Sequence, residues 1–349
     1  MKTDSVMFLL GAGASVDATI PMAIQMLEKI EDLIRDDEDL QNLYFYLKSA
    51  ILYQRGLEGD FNTKVGVEDL LGVIEELSQK HRNRLYPFVG AWSPHLINVA
   101  KSDFSNIKKL DHLIRSNLVD WVQPKNGSRA GSYFQKLENF RREYGKSISV
   151  FTLNYDLLVE RNLVQLGCLV ETGFDESDKW NASRFERNEY DNVNFYVYKL
   201  HGSIDWEREL DERDDCLKKR ENPVKNPDLI FGVNNKLNSG DPYLFYVHEL
   251  RRHTLENATK LIFVIGYSFS DQYINKLLSQ ALRSDSTKRI INVSPDADSR
   301  NGEIITELRL EQNPSAIVPL STTAKEFFEN KLTVELCQNN FVVGSDTPF

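Results

Sequence analysis

The chain has 349 residues, enough for one large domain or two of moderate size. Apolar residues make up 41% of it, which is sufficient for a sizeable core, and no segment has the composition of a disordered region. The formal net charge of −10 argues against direct binding of nucleic acid, because an acidic surface repels the phosphate backbone.

The three cysteines argue against a zinc ribbon and a disulfide framework. Cys168, Cys216 and Cys337 lie far apart and form no CxxC pair, whereas a structural zinc needs four close ligands. Reduced thiols fit a cytoplasmic protein. The N-terminal segment lacks the pattern of a signal peptide, and no apolar run approaches the ~18 residues of a membrane span, so we expect no membrane association.

Five short apolar runs, each bounded by turn residues, predict buried parallel strands. They are Val6–Leu10, Ser147–Leu153, Asn194–Leu200, Leu261–Ile265 and Arg289–Val293. Helical patterns separate these runs. The sequence therefore predicts an α/β fold, with a Rossmann-like, mostly parallel sheet and helices on both faces.

The remaining segments carry other patterns. Between the first two runs, apolar residues recur at helical spacing, for example Leu70, Leu71, Ile74 and Leu77. We therefore predict a helical insertion over approximately residues 22–145 of a main domain that spans residues 1–300. The charged stretch Glu207–Lys225 indicates an exposed loop or a small excursion from the sheet. A helix near Thr323–Leu332 belongs to a predicted C-terminal helical extension over residues 301–349.

The turn Gly11-Ala12-Gly13-Ala14-Ser15 follows the first predicted strand and precedes a helical segment. Glycine permits close backbone approach, and a helix N-terminus favours a pyrophosphate. The usual dinucleotide motif has a third glycine where this chain has Val16, which disfavours an ordinary dehydrogenase. A tight turn without any ligand also explains the glycines.

Small or polar residues lie at or just after the ends of the other strands, at the sheet edge where ligands of such folds bind. They are Thr152, Asn154 and Asp156 after the second strand, His201 and Gly202 after the third, Gly266 and Ser268 after the fourth, and Asn292 near the end of the fifth. A histidine in this place suits proton transfer. Simpler explanations stay open: helix capping by the asparagine or aspartate, a histidine bonded to a loop carbonyl, and plain turns.

Taken in order, these motifs resemble those of the sirtuin family. The sirtuin GAGxS motif corresponds to Gly11–Ser15, and the IP motif to Ile20-Pro21. The TQNxD motif corresponds to Thr152–Asp156, with Leu153 in place of Gln, and the HG motif to His201-Gly202. The GTS motif corresponds to Gly266-Tyr267-Ser268, and Pro227–Gly232 is similar to a further sirtuin strand. Two features depart from the family. The four zinc cysteines are absent, and Met22-Ala23-Ile24 replaces the sirtuin Asp-Phe-Arg.

This combination is similar to the SIR2-like proteins of bacterial antiviral defence, which keep the NAD site, lack the zinc ribbon and degrade NAD. The run Gly266–Asp271 and the following Ile274-Asn275 also resemble that group. The resemblance implies an NAD+ glycohydrolase without zinc, for which NAD is a substrate. Cleavage to ADP-ribose and nicotinamide would deplete NAD in abortive infection.

The resemblance also implies roles for single residues and partners. Asn154 would orient the ribose and the attacking water, and His201 would accept a proton. The implied nucleotide-binding residues are Gly11, Ala12, Gly13, Ser15, Pro21, Thr152, Asp156, Gly266, Ser268 and Asn292. We expect a homo-oligomer or a separate partner such as a HerA-type ATPase. Two alternatives stay open: a sirtuin-type NAD-dependent protein deacylase, and a non-catalytic module that senses NAD or ADP-ribose.

Overall fold

The computed structural model describes residues 5–59, 65–78, 94–125, 130–186, 192–211, 214–231 and 241–342. The chain divides into two compact units. The sheet unit comprises the described residues of Met1–Ile20, Gln123–Leu229 and Ser239–Phe349, and the helical unit comprises those of Pro21–Val122 and Ile230–Asn238. The domain boundaries expected from the sequence, near residues 145 and 300, stay a prediction.

Nine strands lie in the described part of the sheet unit. They are β1 (Ser5–Leu10), β2 (Ile148–Thr152), β3 (Val170–Glu171), β4 (Phe195–Lys199), β5 (Trp206–Asp211), β6 (Asp214–Lys219), β7 (Thr259–Ile265), β8 (Arg289–Ser294) and β9 (Ile317–Ser321). Seven of them form one parallel sheet in the order β3-β4-β2-β1-β7-β8-β9. The predicted Rossmann-like, mostly parallel sheet is confirmed.

The register of the sheet brings five strand ends to one edge. Leu10 of β1 pairs with Thr152 of β2 on one side and with Ile265 of β7 on the other. Thr152 in turn pairs with Lys199 of β4, and Ile265 pairs with Val293 of β8. The segments that follow these strands, which carry the predicted site residues, therefore start side by side.

Aromatic pairs stack across neighbouring strands in the core of the sheet unit. Phe8 of β1 stacks on Phe263 of β7, with ring centroids 4.9 Å apart, and Phe151 of β2 stacks on Tyr198 of β4 at 4.4 Å. All four side chains are fully buried. Each such pair contributes about 0.5–1.5 kcal/mol beyond the burial of its area.

Helices make up the described part of the helical unit. They are α1 (Ala23–Leu33), α2 (Glu38–Leu57), α3 (Val67–Ser78), α4 (Pro94–Ala100) and α5 (Ser105–Trp121). The Asp37 carboxylate caps α2 by accepting a hydrogen bond from the Leu40 N–H. Leu70, Leu71 and Ile74, predicted on one helical face, are buried in α3.

Further helices surround the sheet in its own unit. They are α6 (Lys136–Tyr144), α7 (Leu158–Gln165), α8 (Tyr243–Leu255), α9 (Gln272–Ser284), α10 (Ala297–Glu307), α11 (Ala324–Glu326) and α12 (Val334–Asn340). A π-helical turn, Phe327–Lys331, extends α11 and coincides with the helix predicted near the C-terminus. Among the described residues, no helix has both the length and the apolar character needed to cross a bilayer.

Two segments differ from the sequence prediction. The charged stretch Glu207–Lys225, predicted as an exposed loop or a small excursion, is not a loop, since it contains most of the antiparallel hairpin β5–β6. Ion pairs connect its two strands, including Lys218 with Glu209 at 2.6 Å, so the density of charge stabilises the hairpin. The strand β9 was not predicted. It contains Pro319, which is tolerated because β9 lies at the edge of the sheet.

Candidate active site at the carboxyl edge of the sheet

The turn after β1 packs backbone to backbone against the loop after β7. A Cβ atom at Gly11 would lie 2.6 Å from the Gly266 carbonyl oxygen, and one at Gly13 would lie 2.7 Å from the Gly266 Cα. Gly266 has a φ of 63°, and a Cβ there would lie 2.3 Å from the Ala14 nitrogen. The N–H groups of Gly11 and Gly13 donate to the carbonyls of Ile265 and Gly266, both at 2.9 Å. We call this contact of Gly11 and Gly13 with Gly266 the glycine seam.

The glycine seam changes the interpretation of the first motif. The chain continues from Gly11 into a 3-10 helix, Ala12–Ala18, rather than an α-helix. The N–H of Ala14 donates to the Gly11 carbonyl, so three N–H groups of this turn are bonded to backbone oxygens. Contact between two loops therefore explains the glycines, and the predicted contact of this turn with a pyrophosphate stays a prediction.

A hydrogen-bond network connects Asn154 to the same turn. Its amide nitrogen donates to the Gly11 carbonyl and to Ser15 Oγ, both at 3.0 Å. Ser15 Oγ donates to Asp156 Oδ2 at 2.7 Å, and the backbone N–H of Asn154 donates to Thr152 Oγ1 at 3.1 Å. Both amide hydrogens of Asn154 are thereby engaged. Its side chain is fixed, and its amide oxygen is the atom that can accept a hydrogen bond from a ligand.

Asp156 connects this network to the start of α7 and to a buried cation. Its Oδ1 accepts a hydrogen bond from the N–H of Leu158, the first residue of α7, at 3.0 Å, although the N-cap of that helix is Leu157. Its backbone oxygen accepts one from Lys199 Nζ, which also pairs with Glu160 Oε1 at 2.8 Å. Burial raises the pKa of the Asp156 carboxyl, and the nearby charge of Lys199 opposes that rise.

Lys199 was missed by the sequence analysis. It is the last residue of β4 and is only 1% exposed. A lysine at the end of an otherwise apolar strand is a usable signal, because lysine is rarely buried without partners. Its partners, Glu160 and the Asp156 carbonyl, became apparent only in the fold.

His201 follows β4 in a tight turn. The next residue, Gly202, has a φ of 87°, and a Cβ there would lie 2.3 Å from the Asp228 carbonyl oxygen. His201 is buried, and its ring lies 6.3 Å from that of Tyr155, the neighbour of Asn154. Its Nε2 is 3.7 Å from Oδ2 of Asp271, in the segment after β7.

The other predicted site residues are placed differently. Ala12 is exposed at the start of the 3-10 helix, and Pro21 belongs to the helical unit. Ser268 is also exposed, and its hydroxyl is 2.8 Å from that of Ser270. Asn292 lies within β8 and is 1% exposed, and neither of its amide atoms has a hydrogen-bond partner among the described residues.

No group of three or more His, Cys, Asp or Glu side chains in the described part of the chain is arranged to hold a metal ion. The last residue of the motif Pro227–Gly232, Gly232, lies outside the described residues. Within it, Leu229 forms an isolated bridge with Gly202.

Residues 148–314 match the family model described as a SIR2-like domain. The matched region contains Asn154, His201, Asp271 and Asn292, and the turn after β1 precedes it. A solved structure described as a Sir2 homologue mutant in complex with ADP-ribose is similar to the chain, with 15% identity and a TM-score of 0.43. The alignment covers 96% of this chain and 92% of that one. None of the curated proteins matches the chain significantly.

Proposed function

We propose that the protein is an NAD+ glycohydrolase whose active site lies at the carboxyl edge of the sheet. The observation that carries the proposal is the network that fixes the amide of Asn154, next to the turn that holds His201. Both residues lie in the region that matches the model of a SIR2-like domain. A buried histidine and a fixed amide at the same edge of the sheet suit a reaction in which water must be oriented and deprotonated.

The chemistry asks little of a general acid. The bond between ribose C1′ and the nicotinamide nitrogen breaks with its electron pair going to the ring, so nicotinamide leaves as a neutral molecule. The positive charge that develops on the ribose is quenched by water, which adds to C1′ and loses a proton. In this proposal the Asn154 oxygen accepts a hydrogen bond from the water or a ribose hydroxyl, and His201 takes the proton.

Asn292 supports a hydroxyl-rich ligand. A buried amide without partners is costly, and it offers one acceptor and two donors at a single position. A ribose hydroxyl, which both donates and accepts, would satisfy it. We therefore keep Asn292 as a ribose-binding residue in the proposal, together with Ser268 at the same edge.

The proposal is tested by incubating the purified protein with NAD+ and measuring nicotinamide and ADP-ribose by chromatography. We expect Asn154→Ala and His201→Ala each to reduce the rate by about 10²-fold or more. Matched controls are Asn330→Ala and His248→Ala, which replace exposed residues of the same types. Variants of Asn154 and His201 that hydrolyse NAD+ as fast as the wild type would contradict the assignment.

The same assay separates the alternatives. If acetyl-ADP-ribose forms, and only when an acyl-lysine peptide is present, the protein is a sirtuin-type deacylase and not a hydrolase. Binding of NAD+ or ADP-ribose without any turnover would indicate a sensing module.

We further propose that NAD+ depletion serves antiviral defence, with the chain acting as a homo-oligomer or with a separate partner such as a HerA-type ATPase. The resemblance to defence proteins motivates this part of the proposal. Light scattering on the purified chain, alone and co-expressed with its neighbouring gene products, is the test. A monomer that recruits no partner and protects no host from phage would contradict it.

A further inference from the structure

We propose that Asp271 is a positioning residue for His201: its carboxylate fixes the proton of the imidazole on Nε2 and leaves Nδ1 as the base. This inference rests on the proposed hydrolysis for its kinetic consequence. The juxtaposition itself is a feature of the fold, since His201 follows β4 and Asp271 follows β7.

The two side chains meet in a buried place. Asp271 Oδ2 lies 3.7 Å from His201 Nε2, and the side chains are 11% and 7% exposed. The distance is longer than a direct hydrogen bond, and at this burial the carboxylate attracts the ring most strongly when the imidazole is protonated. The second oxygen of Asp271, Oδ1, accepts hydrogen bonds from the N–H groups of Tyr273 and Ile274, at 3.0 and 3.2 Å. The carboxylate is thus anchored as the N-cap of α9.

The loop that carries Asp271 is held from several sides. The N–H of Asp271 donates to the hydroxyl of Tyr267 at 3.1 Å, and that hydroxyl lies 2.9 Å from Asn275 Oδ1. The amide nitrogen of Asn275 donates to the Phe269 carbonyl at 2.7 Å. With its backbone and Oδ1 both fixed, the carboxylate cannot swing away from His201 without breaking the start of α9.

The chemical consequence follows from the two ring nitrogens. A neutral imidazole carries one proton, and an acceptor beside Nε2 favours the tautomer in which that nitrogen holds it. Nδ1 then carries the lone pair. When Nδ1 takes a proton from the attacking water or from a ribose hydroxyl, the ring becomes positively charged. In the proposed step the carboxylate of Asp271 stabilises that charge, as the carboxylate does in other histidine–aspartate pairs.

The decisive variant is Asp271→Asn. Asparagine caps a helix about as well as aspartate, so the start of α9 and the melting temperature should be preserved. The charge is lost, and an amide nitrogen facing Nε2 favours the wrong tautomer. We expect kcat for NAD+ hydrolysis to fall by about 10²-fold or more, with KM unchanged. The matched control is Asp37→Asn, which makes the same change at the N-cap of α2 and should leave kcat unaltered.

A second readout does not depend on hydrolysis. In protein labelled with ¹⁵N-histidine, the ring nitrogens of His201 are assigned among the six histidines by comparison with His201→Gln. We expect the wild type to show the Nε2–H tautomer and Asp271→Asn to show a shift towards Nδ1–H. If the wild type does not hydrolyse NAD+, the proposed function fails, but these spectra still test whether Asp271 fixes the tautomer of His201. Unchanged spectra, or full kcat in Asp271→Asn, would overturn the proposed role of Asp271.

Discussion

Asn292 and Asn275 are both buried asparagines, and they differ in the hydrogen bonding of their side-chain amides. The amide atoms of Asn292 have no partner among the described residues, whereas Asn275 bonds to Phe269, Tyr267 and Glu307. An unsatisfied buried amide costs about 1–3 kcal/mol, and a satisfied one contributes to stability. The difference agrees with the proposed role of Asn292 in binding a ribose and with a structural role for Asn275.

Substitution by valine tests this difference, since valine is apolar and close to asparagine in size and helix propensity. We expect Asn292→Val to raise the free energy of unfolding by about 1 kcal/mol and to weaken NAD+ binding. Asn275→Val should instead lower the free energy of unfolding by about 2–3 kcal/mol. Urea denaturation and calorimetric titration measure the two effects. A destabilised Asn292→Val protein would mean that the amide is already satisfied in the free protein.

At the scale of elements, Lys288 connects the end of α8 to the strands that follow. It is 1% exposed, and its Nζ donates to the carbonyls of Thr254, Glu256 and Thr259. Burial lowers its pKa to about 8. All three ammonium hydrogens thus satisfy carbonyls around the end of a helix, where such groups lack partners within the helix.

We expect Lys288→Met to lower the free energy of unfolding by about 2–4 kcal/mol, because it leaves these carbonyls buried without donors. The control is Lys276→Met, on the exposed face of α9, which should change the free energy of unfolding by less than about 0.5 kcal/mol. Chemical denaturation of both variants gives the comparison. Equal stabilities would show that water replaces the ammonium group at no cost.

Five strands could be predicted because each is a run of apolar residues buried on both faces, as in β2 and β4. The others carry weaker signals. The strand β3 has only two residues, and Pro319 argues against a strand wherever it does not lie at an edge. The hairpin β5–β6 is stabilised by charges across its strands, and charge density in a single sequence is typical of loops.

At the scale of the whole molecule, acid stability depends on carboxylates held in their ionised form. A hydrogen bond from Arg141 lowers the pKa of Glu138 from 4.5 to about 2, and a second one from Arg142 adds to the effect. Because the folded-state pKa is lowered, this stabilisation is complete above pH 4.5 and is lost as the pH falls towards 2.

We therefore expect Glu138→Gln to lower the free energy of unfolding by about 2 kcal/mol at neutral pH. The difference from the wild type should shrink between pH 4.5 and pH 2. Melting temperatures measured across this range, with the exposed Glu329→Gln as control, test the expectation. A difference that does not change with pH would show that the glutamate acts by packing alone.

The candidate site was only partly predictable for a related reason. Asn154 and His201 could be singled out because each follows a recognisable strand. The roles of Asp271 and Lys199 depend on contacts with His201 and Glu160, which are distant in the chain, and no local sequence pattern reveals such contacts. The turn at Gly11 was recognised, and its glycines form a contact with a distant loop that no local pattern predicts, while their predicted contact with a ligand stays a prediction.

The glycine seam is a rigid backbone contact between the turn that anchors Asn154 and the segment that leads to Asp271. Side chains yield to a neighbour by changing rotamer, but backbone atoms in contact have no such freedom. Sliding one loop past the other would break the bonds from Gly11 and Gly13, and not even a methyl group fits between them. The contact therefore fixes the turn that anchors Asn154 relative to the loop after β7, and in the proposed enzyme it would hold the two parts of the site in place without a substrate.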